Sequence, residues 1–232
     1  MYRPSSFSKF SLLFLSLFFS SIIIAQPHNH DKHIKYGCRY FKNNLSDYHQ
    51  HNHHDKTITA NNERSDTIDI INYEINLDVT NFTAKRIKGD CIVSFKSKLD
   101  NINQIILDLR LLDVTSVTHN DTPLNFNHDG FSIVIDLANT LNTGDEDAVR
   151  VYYEGNPIED PSGFGGFTFE EGYAYNLGIG LTSNPHNFGS GWFPCFDNFV
   201  ERATYDLNIL SSEGRKGYGI GEFLGEETVG LD

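Results

Sequence analysis

A period-two alternation of apolar and polar residues begins at Tyr73. Tyr73, Ile75, Leu77 and Val79 alternate with Asn72, Glu74, Asn76, Asp78 and Thr80. Successive side chains of a strand point to opposite faces, so this run predicts a strand with one buried face. After polar Asn81, Lys88-Gly89-Asp90 leads into Cys91, Val93 and Phe95 with the same period. The two runs predict a long antiparallel pair. Ile105 to Leu109 reads as a third strand and Leu112 to Thr118 as a fourth. Asn120-Asp121 is a turn before a strand from Thr122 to Phe126. Asp129-Gly130 is a hairpin signal before Phe131-Ser132-Ile133-Val134-Ile135. Thr143-Gly144-Asp145 turns into Ala148 to Tyr153. No stretch between Thr67 and Tyr153 sustains apolar residues at helical spacing. The prediction is an all-β domain, an antiparallel β-sandwich or saddle.

Residues 155 to 190 change character. Glycines at 155, 163, 165, 166, 172, 178, 180 and 189 interleave with Phe164, Phe167, Phe169, Tyr173 and Tyr175. They lack a P-loop lysine and a following helix, which argues against phosphate binding. The expectation is two short strands and a loop covering a neighbouring surface. Next comes Trp192-Phe193-Pro194-Cys195-Phe196-Asp197, with the only tryptophan of the chain. Such density predicts a buried corner. Phe193 precedes proline and is pushed toward an extended conformation. Asp197 and Asn198 suit a turn. Ala203, Tyr205, Leu207 and Ile209 then alternate with polar residues and predict a half-buried strand. Residues 211–232 form a Gly-rich tail with few apolar positions.

The amino-terminal end carries different signals. Arg3 and Lys9 precede an apolar run from Phe10 to Ile24, closed by Ala25. This predicts a secretory signal peptide over 1–25. The run is shorter than the roughly 20 residues of a membrane span. The mature chain is therefore expected outside the cytoplasm, secreted or periplasmic, with no stable membrane span. Residues 26–66 are polar and hold His28, His30, His33, His49, His51, His53 and His54. Imidazoles can bind transition metals, but these are scattered without ligand spacing, and a disordered, solvated leader is the preferred reading. The net charge of −13 argues against a nucleic-acid partner, whose phosphates demand a basic surface. Cys38, Cys91 and Cys195 are an odd set that permits one disulfide. Their connectivity stays open, and Cys91 and Cys195 fit buried free thiols at least as well. Asn44, Asn81 and Asn120 stand in glycosylation sequons.

The run Phe193-Pro194-Cys195-Phe196-Asp197, followed after four residues by Arg202-Ala203-Thr204-Tyr205-Asp206-Leu207, resembles the end of the amino-terminal domain in the aminopeptidase N family of zinc metallopeptidases. Asn198-Phe199 stands where that family shows Glu-Pro. Tyr73 to Val79 resembles its opening strand, Ile106-Leu107-Asp108 its Leu-Asp strand, and Gly144-Asp145 before Val149 to Tyr153 its turn and strand. The resemblance covers Thr67 to Ile209 and implies a domain over 67–210.

The resemblance implies an enzyme that removes amino-terminal residues from peptide substrates, using zinc held by His-Glu-x-x-His on a separate catalytic domain. This sequence has no His-Glu dipeptide; His49-Gln50-His51-Asn52-His53 comes nearest in spacing. The family's Gly-x-Met-Glu-Asn is absent too, since Met1 is the single methionine. The expectation is a fragment whose partner, the catalytic domain, is missing, inactive alone, with no catalytic or metal-binding residue of its own. The family's active-site glutamine upstream of the Phe-Pro-Cys run has no counterpart at Thr182-Ser183-Asn184. Thr182, Ser183, Asn184 and His186 remain substrate-facing candidates, and Trp192, Phe193, Pro194, Cys195, Phe196 and Asp197 the structural motif. No Gly-x-Ser-x-Gly elbow occurs, and Glu170-Glu171 and Glu226-Glu227 read as solvated charge. An alternative is a stand-alone secreted binding module with the aromatic loop from Phe164 to Tyr175 as its platform.

Overall fold

The computed structural model describes residues 62–183, 186–212 and 214–229. The signal peptide, nearly all of the leader, Cys38, Asn44 and Asn184 lie outside the described residues. A short helix, α1 (Asn62–Thr67), leads into eleven strands. They are β1 (Ile68–Asp78), β2 (Ile87–Ser97), β3 (Ile102–Asp108), β4 (Asp113–His119), β5 (Thr122–Pro123), β6 (Phe126–His128), β7 (Ser132–Leu141), β8 (Glu146–Gly155), β9 (Gly165–Glu170), β10 (Tyr173–Gly180) and β11 (Thr204–Leu210). The described part is all-β apart from α1 and a 3-10 turn at Gly189–Gly191.

Three sheets result. The largest has six strands in the order β11-β1-β2-β8-β4-β5; β3-β7-β6 and β10-β9 form the others. The alternation decides which face is buried. Tyr73, Ile75 and Leu77 of β1, Cys91, Val93 and Phe95 of β2, and Val149, Val151 and Tyr153 of β8 point into the core. Ile105 and Leu107 of β3 and Ile133 and Ile135 of β7 belong to the same apolar cluster. Two sheets thus close on one core, the arrangement of a sandwich. Phe167 and Phe169 of β9 extend it.

β1 begins earlier than the alternation from Tyr73 suggests. Ile68 and Ile70 are buried, out of phase with Tyr73. A register shift against β2 between Ile70 and Asn72 reconciles the two phases. The extra residue of a bulge moves the following side chains to the other face, and Ile71 is left 37% exposed. The hairpin signal at Asp129-Gly130 is realised. Asp129 Oδ1 accepts from the N–H groups of Phe131 and Ser132, both at 2.9 Å, and Gly130 has φ of 89°.

Two expectations need correction. The strand from Thr122 to Phe126 is two pieces in different sheets: β5 pairs with β4, whereas β6 pairs with β7. The chain changes layers between Pro123 and Phe126, which no alternation can signal. The strand after Ala203 is less buried than expected. β11 is a sheet edge running parallel to β1, from Thr204 opposite Asn72 to Leu210 opposite Asp78. Tyr205 and Leu207 are 59% and 40% exposed. The apolar period is real, but its cover is partial: Ala203 and Ile209 pack against the core and Tyr205 stacks on Tyr73 at 5.3 Å, while among the described residues the rest of the face stays open.

Candidate functional site

The corner forms where β3 ends. Asp108 and Cys195 exchange backbone hydrogen bonds of 2.7 and 3.0 Å, so the Trp192–Asp197 run is stitched to that strand. A carboxylate closing an apolar strand must find partners, because an unpaired buried charge is costly. Asp108 is 1% exposed. Arg64 of α1 reaches it with two N–H···O bonds, at 3.0 and 2.7 Å. The same guanidinium donates to the Ile106 carbonyl at 3.1 Å and lies 5.0 Å over the Phe196 ring. The Asp197 N–H donates to Asp108 Oδ2 at 3.0 Å. A residue from just before the first strand thereby fastens the corner.

Asp197 organises the next turn. Its carboxylate accepts from Gly189 N–H (3.2 Å), Ser190 N–H (3.2 Å) and Ser190 Oγ–H (2.6 Å). The Asn187 side-chain amide donates to the Asp197 carbonyl. Burial pushes the Asp197 carboxyl above the usual carboxylate range; the Ser190 hydrogen bonds and Arg110 oppose this, and Asp108 adds to it. Asn198 Oδ1 then accepts from Val200 and Glu201 N–H at 2.9 and 3.0 Å, the turn expected of Asp197-Asn198.

The remaining motif residues are packing. Phe193 meets Tyr73 edge-on at 5.4 Å and Trp192 at 4.6 Å. Tyr73 Oη accepts from Phe196 N–H at 2.9 Å, and burial raises its pKa. Cys91 and Cys195 are free and buried. Burial pushes both thiols up, with acidic neighbours adding to the effect. Neither is a poised nucleophile, which needs a lowered pKa.

The substrate-facing candidates divide. Thr182 donates from both N–H (3.1 Å) and Oγ (2.7 Å) to Asp160 Oδ2. Ser183 Oγ is buried between the carbonyls of Gly180 (3.0 Å) and Asn187 (2.7 Å). Both hydroxyls therefore hold the loop together. His186 is exposed and, among the described residues, joins no such network. In the aromatic loop, Phe167 and Phe169 are buried against the core, while Phe164, Tyr173 and Tyr175 are exposed. The platform reading thus loses two of its five rings.

Sequence reasoning did not single out Arg64, Arg110 or Ser190. One signal was available: Asp108 sits inside Ile105-Ile106-Leu107-Asp108-Leu109, and a carboxylate there requires a buried donor. Which donor answers it is not written locally, since Arg64 lies 44 residues away.

A profile of the peptidase M1 N-terminal domain matches residues 69–215, most of the chain. The chain belongs to the M1 N-terminal domain family. Solved structures agree. A variant M1 zinc metallopeptidase from Deinococcus radiodurans, bound to a Tyr-Ser-Ala substrate, is 25% identical with a TM-score of 0.52, covering 60% of this chain and 31% of that one. The enzyme without that substitution shows 24% identity and a TM-score of 0.52, over 60% and 31% of the two chains. A two-domain M1 zinc metallopeptidase bound to L-tryptophan shows 24% identity and a TM-score of 0.51, with 60% and 32% covered. This chain thus spans about a third of the length of those structures. Comparison with curated proteins gives no match.

Zinc is implied by the M1 family. Among the described residues of this M1 N-terminal domain, no three His, Cys, Asp or Glu side chains come together to hold a metal. The described residues do not fit zinc, and no catalytic step is assigned to them. Among the described residues, no helix is long and apolar enough to cross a membrane.

Proposed function

We propose that this chain is the amino-terminal β-domain of a secreted zinc metallo-aminopeptidase that removes residues from the amino termini of peptides. Its role is to pack against a catalytic domain that holds zinc and the substrate's reacting bond; by itself it hydrolyses nothing. The observation that carries this reading is the family match over residues 69–215, on a sequence without a His-Glu dipeptide. Secretion rests on the run from Phe10 to Ala25.

The test is purified chain lacking residues 1–25, assayed on an aminoacyl-anilide with and without added zinc. No zinc-dependent release is expected; measurable release would overturn the inactivity. Amino-terminal sequencing of exported protein should begin at Gln26. Sequencing the locus beyond the Asp232 codon should find a His-Glu-x-x-His coding region.

A further inference from the structure

We propose that Arg110 is a socket for a carboxylate presented by a polypeptide partner. The partner's identity, a metallopeptidase catalytic domain, rests on the reading above; the socket does not.

Arg110 follows β3, two residues after Asp108. Its backbone is held by the Ser190 carbonyl at 2.7 Å, and the next N–H by the Gly130 carbonyl at 2.9 Å. The residue is 8% exposed. Its guanidinium lies 5.2 Å over the Phe188 ring. That ring is fixed in turn, because Gly180 and Gly191 leave room for it: a Cβ at either would fall 2.6 or 2.9 Å from its atoms. The arginine head is thus seated on a rigid platform.

What it lacks, among the described residues, is an acceptor. Arg110 Nε is buried without a hydrogen-bond partner. Among the described residues its guanidinium makes no ion pair. Both nearby carboxylates spend their hydrogen bonds elsewhere, Asp108 on Arg64 and Asp197 on Gly189 and Ser190, and Asp197 and Arg110 interact only through their charges. A guanidinium cannot discharge itself by losing a proton. A buried charge without a hydrogen-bonding counter-ion is unfavourable, and a planar fork of donors matches a carboxylate with two bonds.

The neighbouring residue suggests the source of that carboxylate. Leu111 has φ of 54°, a conformation that non-glycine residues rarely adopt. It is 57% exposed. The strained turn holds an apolar side chain outward directly beside the cationic one. A free inorganic anion has no use for the leucine, whereas a Glu or Asp flanked by apolar residues on a protein surface contacts both.

The test uses the full chain after removal of residues 1–25, with sodium acetate as probe and sodium phosphate and sodium chloride at matched ionic strength. The readouts are the Arg Nε–Hε resonances and the thermal midpoint. Acetate should shift one Nε–Hε resonance saturably and raise the midpoint. Both responses should vanish in Arg110→Met, whose midpoint without acetate equals or exceeds that of the parent. Arg110→Lys keeps the charge but loses the fork, and should respond more weakly. No acetate response, a response to phosphate alone, an undiminished response in Arg110→Met, or a large loss of stability in Arg110→Met without acetate would each overturn the socket. These readouts involve no catalytic domain. Zinc-dependent hydrolysis by the chain alone would overturn the functional reading and leave the socket standing.

Discussion

Asp108 and Asp197 are joined directly: the Asp197 N–H donates to Asp108 Oδ2 at 3.0 Å. The first carboxylate holds Arg64 and the second holds the Gly189–Gly191 turn. One buried contact therefore links the start of the domain, the end of β3 and the aromatic corner.

Asp108→Ala should be among the most damaging single substitutions in the domain. It leaves Arg64 without its counter-ion and Asp197 N–H without its acceptor. Removing one partner of a buried pair costs about 3–5 kcal/mol. Urea unfolding followed by Trp192 fluorescence checks this, and a loss below about 1 kcal/mol would contradict it. Asp108→Asn, which keeps the shape and an acceptor oxygen, should cost less.

Asp197 should leave a signature in the pH dependence of stability. Its folded pKa is raised above the ordinary 3.8, chiefly by burial. The folded state then holds this proton more tightly than the unfolded state. The resulting stabilisation is whole below 3.8 and is lost as pH rises through the raised native value. Subtracting the Asp197→Asn unfolding profile from that of the parent should isolate a difference that falls with pH across this window and then levels. A difference that rises with pH would show the sign to be wrong.

Gly89 lies opposite Tyr153 in the β2–β8 pair. A Cβ there would fall 2.5 Å from the Asn76 carbonyl oxygen and 3.2 Å from Tyr153 Oη. The carbonyl belongs to the β1–β2 ladder and cannot swing aside. Gly89→Ala should cost about 1–3 kcal/mol, the range for overpacking, measurable as a lowered urea midpoint. An unchanged midpoint would mean that the ladder yields more than its hydrogen bonds suggest.

The thiols should be silent in the native protein. In a Cys38→Ser variant, an aromatic disulfide reagent should titrate neither Cys91 nor Cys195 until denaturant is added, and then both. Each is buried, with its pKa raised, so little thiolate is present or reachable. Rapid native labelling at either position would refute this.

The first strands, the hairpin at Asp129-Gly130 and the kinship of the Phe193–Asp197 run could be read from the chain itself. These signals are local: a period of two, a turn dipeptide and a dense motif report on neighbours a few residues away. Burial at Ile105, Ile133 and Val151 follows from the same period. The sequence alone thus determined the all-β class and the family.

Other features depended on where distant segments meet. Whether the apolar face of β11 is covered depends on the layers beside it, and its own residues cannot say. The same holds for the change of sheet after Pro123 and for the phase shift in β1, where a single extra residue reverses inside and outside. Thr182 and Ser183 looked available by type, and only the positions of Asp160, Gly180 and Asn187 show their hydroxyls engaged. Arg64 and Arg110 are two arginines of one corner that sequence alone does not distinguish. Tertiary structure gave Arg64 a hydrogen-bonded carboxylate and, among the described residues, gave Arg110 none, because hydrogen bonding is decided by ångström distances between residues far apart in the chain.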